Sequence, residues 1–475
     1  MDTIKIDGGN ISGMVIGKPG EEVYVYRGIP FAAPPVGDLR WKPPEPVIPW
    51  EGTKECTEYS KIAPQNPGMD GGRVMPMSED CLYLNVVTPA NNPGEKLPVM
   101  VWLHGGGYFS GSGNDQIFNE PHLPRQGVVV VSVSHRLNVI GLMAHPLLSK
   151  ESGKGVSGNY MFLDIIASLK WVQRNIAAFG GDPDNVTIFG ESGGGAKVAN
   201  LMATPLAKGL FHRAICESGT SVGRFSPSVK LEEIEANGEK VFAKLGVDKE
   251  SDPLKAARAL PWEDILAAEQ KVVEELNIGG PGGGLWDAAV DGWFLDAQPI
   301  EVFEAGKHNA VPLITCCNLG ELTGPGAITL TWLVPACVRL CTANDKVGAD
   351  SYACIFDQVP SGWKEEGCVS HHAIEIPYVF GDYDNTSGFW EHIFFLSQSA
   401  GARTRENPGL NELDKKVSEE MMARWAQFAR TGNPNVEGLA EWPPYKQDTD
   451  KYLYITPSAE AKTGFSKVAQ DKQEK

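Results

Sequence analysis

Val186-Thr187-Ile188-Phe189-Gly190-Glu191-Ser192-Gly193-Gly194-Gly195 is a β-branched, apolar run that stops abruptly at a serine enclosed by glycines. Between Phe189 and Gly193 the backbone has to pass from strand to helix, and Gly190 and Gly194 leave room where a Cβ would clash. This is the pattern of a nucleophile elbow, which lifts a serine hydroxyl off the edge of a sheet. A G-x-S-x-G is also compatible with a plain glycine-rich turn, so the surrounding chain has to decide between the two.

Working outward, the texture is that of an α/β protein. Apolar positions at Leu163, Ile166, Leu169, Val172, Ile176 and Phe179 recur three or four apart, predicting a helix over 161–179 closed by Gly180-Gly181. Val99–Leu103 and Val128–Val133 are nearly continuous apolar runs, as parallel strands covered on both faces are. A helix over 196–206, strands over 213–217 and 311–317, and a last helix over 419–430 continue the alternation. The runs 3–6, 12–16 and 23–26 predict a small N-terminal antiparallel sheet leading into a mostly parallel central sheet with helices on both faces. The charged, helix-prone stretch 226–286, with its glycine-rich break at 279–284, reads as a helical insertion over the sheet. With 475 residues, one elaborated domain is expected.

Composition narrows the function. A formal charge of −18 repels phosphate backbones and anionic lipid, so neither nucleic acid nor a membrane surface is expected as a partner. Val128 to Met143 is interrupted by Ser132, Ser134, His135 and Arg136, and no run approaches a membrane span of about 18 residues. The N-terminus enters a strand pattern directly, without the apolar core of a signal peptide. A cytoplasmic setting is therefore the expectation, with secretion left open for a chain whose signal was trimmed. The nine cysteines show no C-x-x-C pair and no Cys/His spacing suited to zinc, so no metal or other cofactor is expected, and Cys316 and Cys317 read as core.

The tie at Ser192 is broken by a second glycine cluster, Leu103-His104-Gly105-Gly106-Gly107-Tyr108, directly after a buried strand. Backbone N–H groups without intervening side chains are suited to binding an oxyanion. Paired with the elbow, the cluster points to acyl transfer through a serine.

The chain resembles the type-B carboxylesterases, the branch of the α/β-hydrolases that includes cholinesterases. The matching stretches are dispersed: Gly28-Ile29-Pro30-Phe31-Ala32 with Pro34 to Trp41, Ser78-Glu79-Asp80-Cys81-Leu82-Tyr83-Leu84-Asn85-Val86, Phe179 to Pro183, Val290-Asp291-Gly292, and Phe428 to Asn435. The resemblance implies an α/β-hydrolase fold, Ser192 as nucleophile, Glu321 as triad acid and His372 as base. The family's base stands nine residues before the glycine of a Tyr-Val-Phe-Gly ending, which from Gly381 selects His372 over the adjacent His371. It also implies an oxyanion hole from Gly106, Gly107 and Gly193, and a site glutamate at Glu191. Tyr108, Phe109 and Trp286 are candidates for pocket lining, with a core position the competing reading for each.

Three departures from the family pattern matter. Gly193 stands where alanine is usual, implying a freer turn. Cys81 matches a half-cystine whose usual partner position is here alanine, which leaves a Cys56–Cys81 disulfide open. Only 51 residues separate Glu321 from His372, so a cap-like insertion over 322–371 would be short and the site open to bulky or varied esters. The cholinesterase tryptophan for a quaternary ammonium is missing before Ser78. The expected activity is hydrolysis of carboxylic esters through an acyl-serine, acting on small molecules, with the oligomeric state open. The alternatives are an amidase, carbamate or polyester hydrolase with the same triad, and a non-catalytic adhesion protein of the same fold.

Overall fold

The computed structural model describes residues 3–66, 75–223, 228–278, 284–322, 329–405 and 408–471. Its centre is an 11-stranded sheet. In spatial order the strands are Glu460–Thr463, Lys451–Ile455, Ser351–Phe356, Leu313–Asn318, Arg213–Glu217, Gly181–Glu191, Leu97–Leu103, Val129–Val133, Tyr83–Thr88, Val23–Pro30 and Met14–Ile16. Neighbours run parallel from Lys451–Ile455 to Val129–Val133, and antiparallel at both margins.

The continuous apolar runs serve two cores at once. Val99, Val101 and Leu103 face one way, with the helix Tyr160–Asn175 and the helix Gly193–Ala203 packed on them. Met100 and Trp102 face the other way, against the capped helix Glu412–Thr431. Alternation along a strand buried on both sides is what a parallel sheet between two helical layers requires. The 161–179 helix ends one turn earlier than its periodicity predicts, in a 3₁₀ turn Ile176–Phe179 capped by left-handed Gly180.

Several expectations are corrected. The small N-terminal sheet is mixed: Ile4–Ile6 pairs antiparallel with Gly9–Ser12, but Thr53–Glu55 joins parallel, and Met14–Ile16 and Val23–Pro30 belong to the main sheet. Residues 323–328 lie outside the described residues, and the described part of the interval 322–371 is not a cap. It carries the crossover helix Leu330–Lys346 and the central strand Ser351–Phe356, so it is part of the fold itself. In the insertion over 226–286, helices Leu231–Leu245, Pro253–Arg258 and Trp262–Leu276 join the first core; residues 279–283 of its glycine break lie outside the described residues. Cys316 and Cys354, opposite each other on adjacent strands, form a disulfide, whereas Cys56 and Cys81 are buried free thiols.

Two buried arginines tie loops to this frame. Arg40 makes a two-pronged contact with Glu79, so the two N-terminal signature stretches meet, and its Nη1 donates to the Leu260 carbonyl at 2.8 Å, anchoring the insertion. Arg136 donates from Nε and Nη2 to Asp164 at 2.8 and 2.6 Å, with both side chains fully buried. Removing one member of such a pair strands the other charge. Asp164→Ala is expected to lower stability by about 3–5 kcal/mol in denaturant unfolding.

Candidate functional site

Adjacent parallel strands place the site at their C-terminal ends, where α/β sheets bind ligands. Leu103 pairs with Gly190, and Glu191 with Glu217, so the glycine turn after Leu103 and the elbow after Glu191 emerge side by side. Leu313–Asn318 leads to Glu321, and the loop after Ser351–Phe356 leads to His371 and His372.

Ser192 has φ 57° and ψ −121°, a strained conformation for a side-chain-bearing residue, held by its N–H donating to the Glu217 carbonyl at 2.8 Å. The elbow closes because backbone occupies the space of absent side chains. A Cβ on Gly194 would run into the Leu103 carbonyl oxygen, and one on Gly193 into that of Gly107. Gly193 therefore does not loosen the turn, as its replacement of alanine implied; it admits a closer approach of the Gly106–Gly107 segment. The N–H groups of Gly106 and Gly107 are unengaged among the described residues. Gly193 is the first residue of its helix, where N–H groups have no intrahelical acceptor.

His372 Nδ1 lies 2.6 Å from Glu321 Oε2, and Glu321 Oε1 accepts from the Asn318 N–H at 2.8 Å. An acceptor-only carboxylate makes Nδ1 the protonated nitrogen and leaves Nε2 for the serine side. Nε2 makes no hydrogen bond among the described residues and lies 3.2 Å from Glu191 Oε1. A Ser192–His372 hydrogen bond is thus not formed here; such bonds commonly tighten only around substrate. His371 is otherwise occupied, with Nδ1 at 2.8 Å from the His372 carbonyl and Nε2 at 2.8 Å from Ser397 Oγ. This geometry selects His372 independently of motif spacing.

The acids outnumber the base. Burial opposes charge on His372, yet Glu191, Glu321 and Glu375 lift its imidazole to about 9. Burial also pushes the Glu191 carboxyl well above the usual carboxylate range, and Glu375 up to about 7. Glu375, three residues after His372 at the N-cap of the helix Ile376–Phe380, belongs to no motif of the sequence; it accepts from Asn318 Nδ2 at 2.5 Å and Ser218 Oγ at 3.3 Å behind the triad acid. Its only sequence signal is a carboxylate three residues beyond the base.

A cavity of about 120 Å³ opens beside Ser192, with Gly106, Glu191 and His372 in its lining. Phe118, Ile376, Phe389, Ile393, Phe395 and Leu396 form its apolar wall. Among the described residues, much of the cover comes from the short helices Ile376–Phe380, Phe389–His392 and Phe394–Ser399, after the base. Tyr108 and Trp286 are corrected to core residues. The Tyr108 hydroxyl accepts from Asn200 Nδ2 at 3.0 Å, and the Trp286 indole donates to Glu269. Phe109, half-buried, also stands outside this lining. His392 lines it, although no motif marked it.

A strained serine between strand and helix, on this sheet and in this chain order of serine, acid and histidine, defines the class as an α/β-hydrolase. The chain belongs to the carboxylesterase family, whose sequence model matches residues 1–332 and 328–473. It is 34% identical to a fumonisin B1 esterase of Sphingopyxis macrogoltabida, over 92% of this chain and 84% of that one. It is 32% identical to a para-nitrobenzyl esterase of Bacillus subtilis, over 93% of each. A thermophilic para-nitrobenzyl esterase superposes with TM-score 0.84 at 28% identity, covering 100% of this chain and 99% of that one. The protein is a carboxylic ester hydrolase acting on small-molecule esters, and the amidase and adhesion alternatives are not favoured.

Two predictions follow from the geometry. A base held protonated up to about 9 works only once its proton is lost, so kcat/KM rises with pH through that region. Glu191→Gln removes a charge that raises this value, and is expected to move the rising limb of the kcat/KM profile to lower pH. Gly193→Ala forces the Gly107 carbonyl to shift, and is expected to lower kcat by about 10²-fold, on the scale of losing one oxyanion donor, without unfolding the protein in a thermal melt.

Proposed function

We propose that Ser192 attacks the ester carbonyl carbon while His372 Nε2 takes the hydroxyl proton, with Glu321 holding the imidazole by its Nδ1–H and stabilising the imidazolium. The carbonyl oxygen becomes an anion in the tetrahedral intermediate and is received by the N–H groups of Gly106, Gly107 and Gly193. His372 returns the proton to the departing alcohol. Water, activated by the same histidine, then cleaves the acyl-serine. What supports this reading above all is the 2.6 Å contact between His372 and Glu321 in the same buried cleft as a serine on a strained elbow.

The substrate is an ester with one short, apolar arm. Support comes from the small cavity and its wall of Phe118, Phe389, Phe395 and Leu396, which would desolvate a charged acyl or alcohol group at a cost. Relatives named for fumonisin B1 and para-nitrobenzyl esters mark a family in which the rest of the ester varies widely. A panel of para-nitrophenyl esters of increasing acyl length is expected to show kcat/KM highest for short chains. Ser192→Ala is expected to lose roughly 10⁶-fold in kcat at unchanged melting temperature. Near-wild-type turnover by that variant would reject the assignment.

A further inference from the structure

The helix that the elbow opens carries a group the mechanism above does not use. Lys197 is fully buried, its amine has no carboxylate partner among the described residues, and burial lowers its pKa to about 7. Its one hydrogen bond runs from Nζ to the His104 carbonyl at 2.8 Å. A buried amine, charged or neutral, costs desolvation that a methionine filling the same space would not.

What the amine holds is the root of the glycine turn. Gly105, Gly106 and Gly107 have no side chains by which to be fixed, so the protein grips their peptide groups. The C=O of one residue and the N–H of the next share a plane and point opposite ways. His104 Nδ1 lies 2.9 Å from the Gly105 carbonyl, which accepts from it and so turns the Gly106 N–H the other way. The Gly106 carbonyl accepts from Ser110 N–H at 3.1 Å, which does the same for the Gly107 N–H. This relay needs a stationary His104 that carries a proton on Nδ1. Its ring stacks on His135 with centroids 4.6 Å apart, and burial, reinforced by the Lys197 charge, holds both imidazoles well below their ordinary range. Along the helix, residues 193, 194, 197 and 200 meet the turn at Gly107, Leu103, His104 and Tyr108, a single face bearing on one loop.

We propose that Lys197 is a positioning residue for ester hydrolysis: it anchors His104, whose ring orients the Gly105–Gly106 peptide so that the Gly106 N–H meets the developing oxyanion. The inference rests on the reading of Ser192 as nucleophile and of the glycine turn as oxyanion site.

The test compares Lys197→Met, Lys197→Gln and Ser192→Ala with the wild type, measuring kcat and KM on a para-nitrophenyl ester, affinity for a trifluoromethyl ketone of the same acyl chain, and thermal stability. The ketone forms an oxyanion on the serine, so it reports the turn directly. Lys197→Met is expected to lose about 10²-fold in both kcat and ketone affinity, with KM changed less than about threefold and melting temperature unchanged or raised. Lys197→Gln, which keeps an N–H donor, is expected to recover about tenfold of that loss. Wild-type kcat and ketone affinity in Lys197→Met, beside an inactive Ser192→Ala, would overturn the role of Lys197 alone. So would equal losses in Met and Gln variants accompanied by a lowered melting temperature. An active Ser192→Ala would overturn both the inference and the reading beneath it.

Discussion

Everything at this site depends on backbone touching backbone. The Leu103 carbonyl oxygen stands where position 194 would carry a side chain, and the Gly107 carbonyl where position 193 would. Dispersion and sterics therefore set the distance between serine and glycine turn, with no flexible side chain between them to absorb error. A sheet whose strands run parallel at the centre brings the two loops to the same edge, and glycine lets them close. The strain at Ser192 is tolerated because the strands and helix on either side over-determine it.

How much of this could be read from the chain follows from the same distinction. Local signals carried the elbow, the glycine turn, the helix over 160–175 and the strand over 213–217, because each depends on residues adjacent in sequence. The acid and base came from resemblance, since Glu321 and His372 meet only through a pairing of distant loops. The role of the interval 322–371 is not written in its pattern, because helix Leu330–Lys346 and strand Ser351–Phe356 look alike whether they extend a sheet or cover it; only strand order decides. Tyr108 and Trp286 turned out to be core for a related reason. An aromatic side chain near a motif can point either way, and buried partners such as Asn200 and Glu269 are invisible in a linear pattern.

The electrostatics are equally non-local. Glu191 is contiguous with the serine, but Glu375 and Glu321 arrive on separate loops, and together they surround one imidazole. Burial raises the cost of every charge there, so the cluster settles with fewer negative charges than carboxyl groups. His372 titrates as a member of that cluster and not as an isolated base. On the other side of the elbow lies the opposite arrangement, a buried lysine amine beside two imidazoles that burial holds below their ordinary range.

The wall made by Phe389–His392 and Phe394–Ser399 has a consequence for how such a protein can diverge. These are short helices in the segment after the base, and they meet the cleft through replaceable apolar side chains. The opposite side is set by close backbone contacts at Leu103, Gly107, Gly193 and Gly194, which leave far less room for exchange. Mutational drift is therefore channelled: new substrate ranges are accessible by repacking one side of the cleft, while the reaction itself is protected by the side that admits almost no variation.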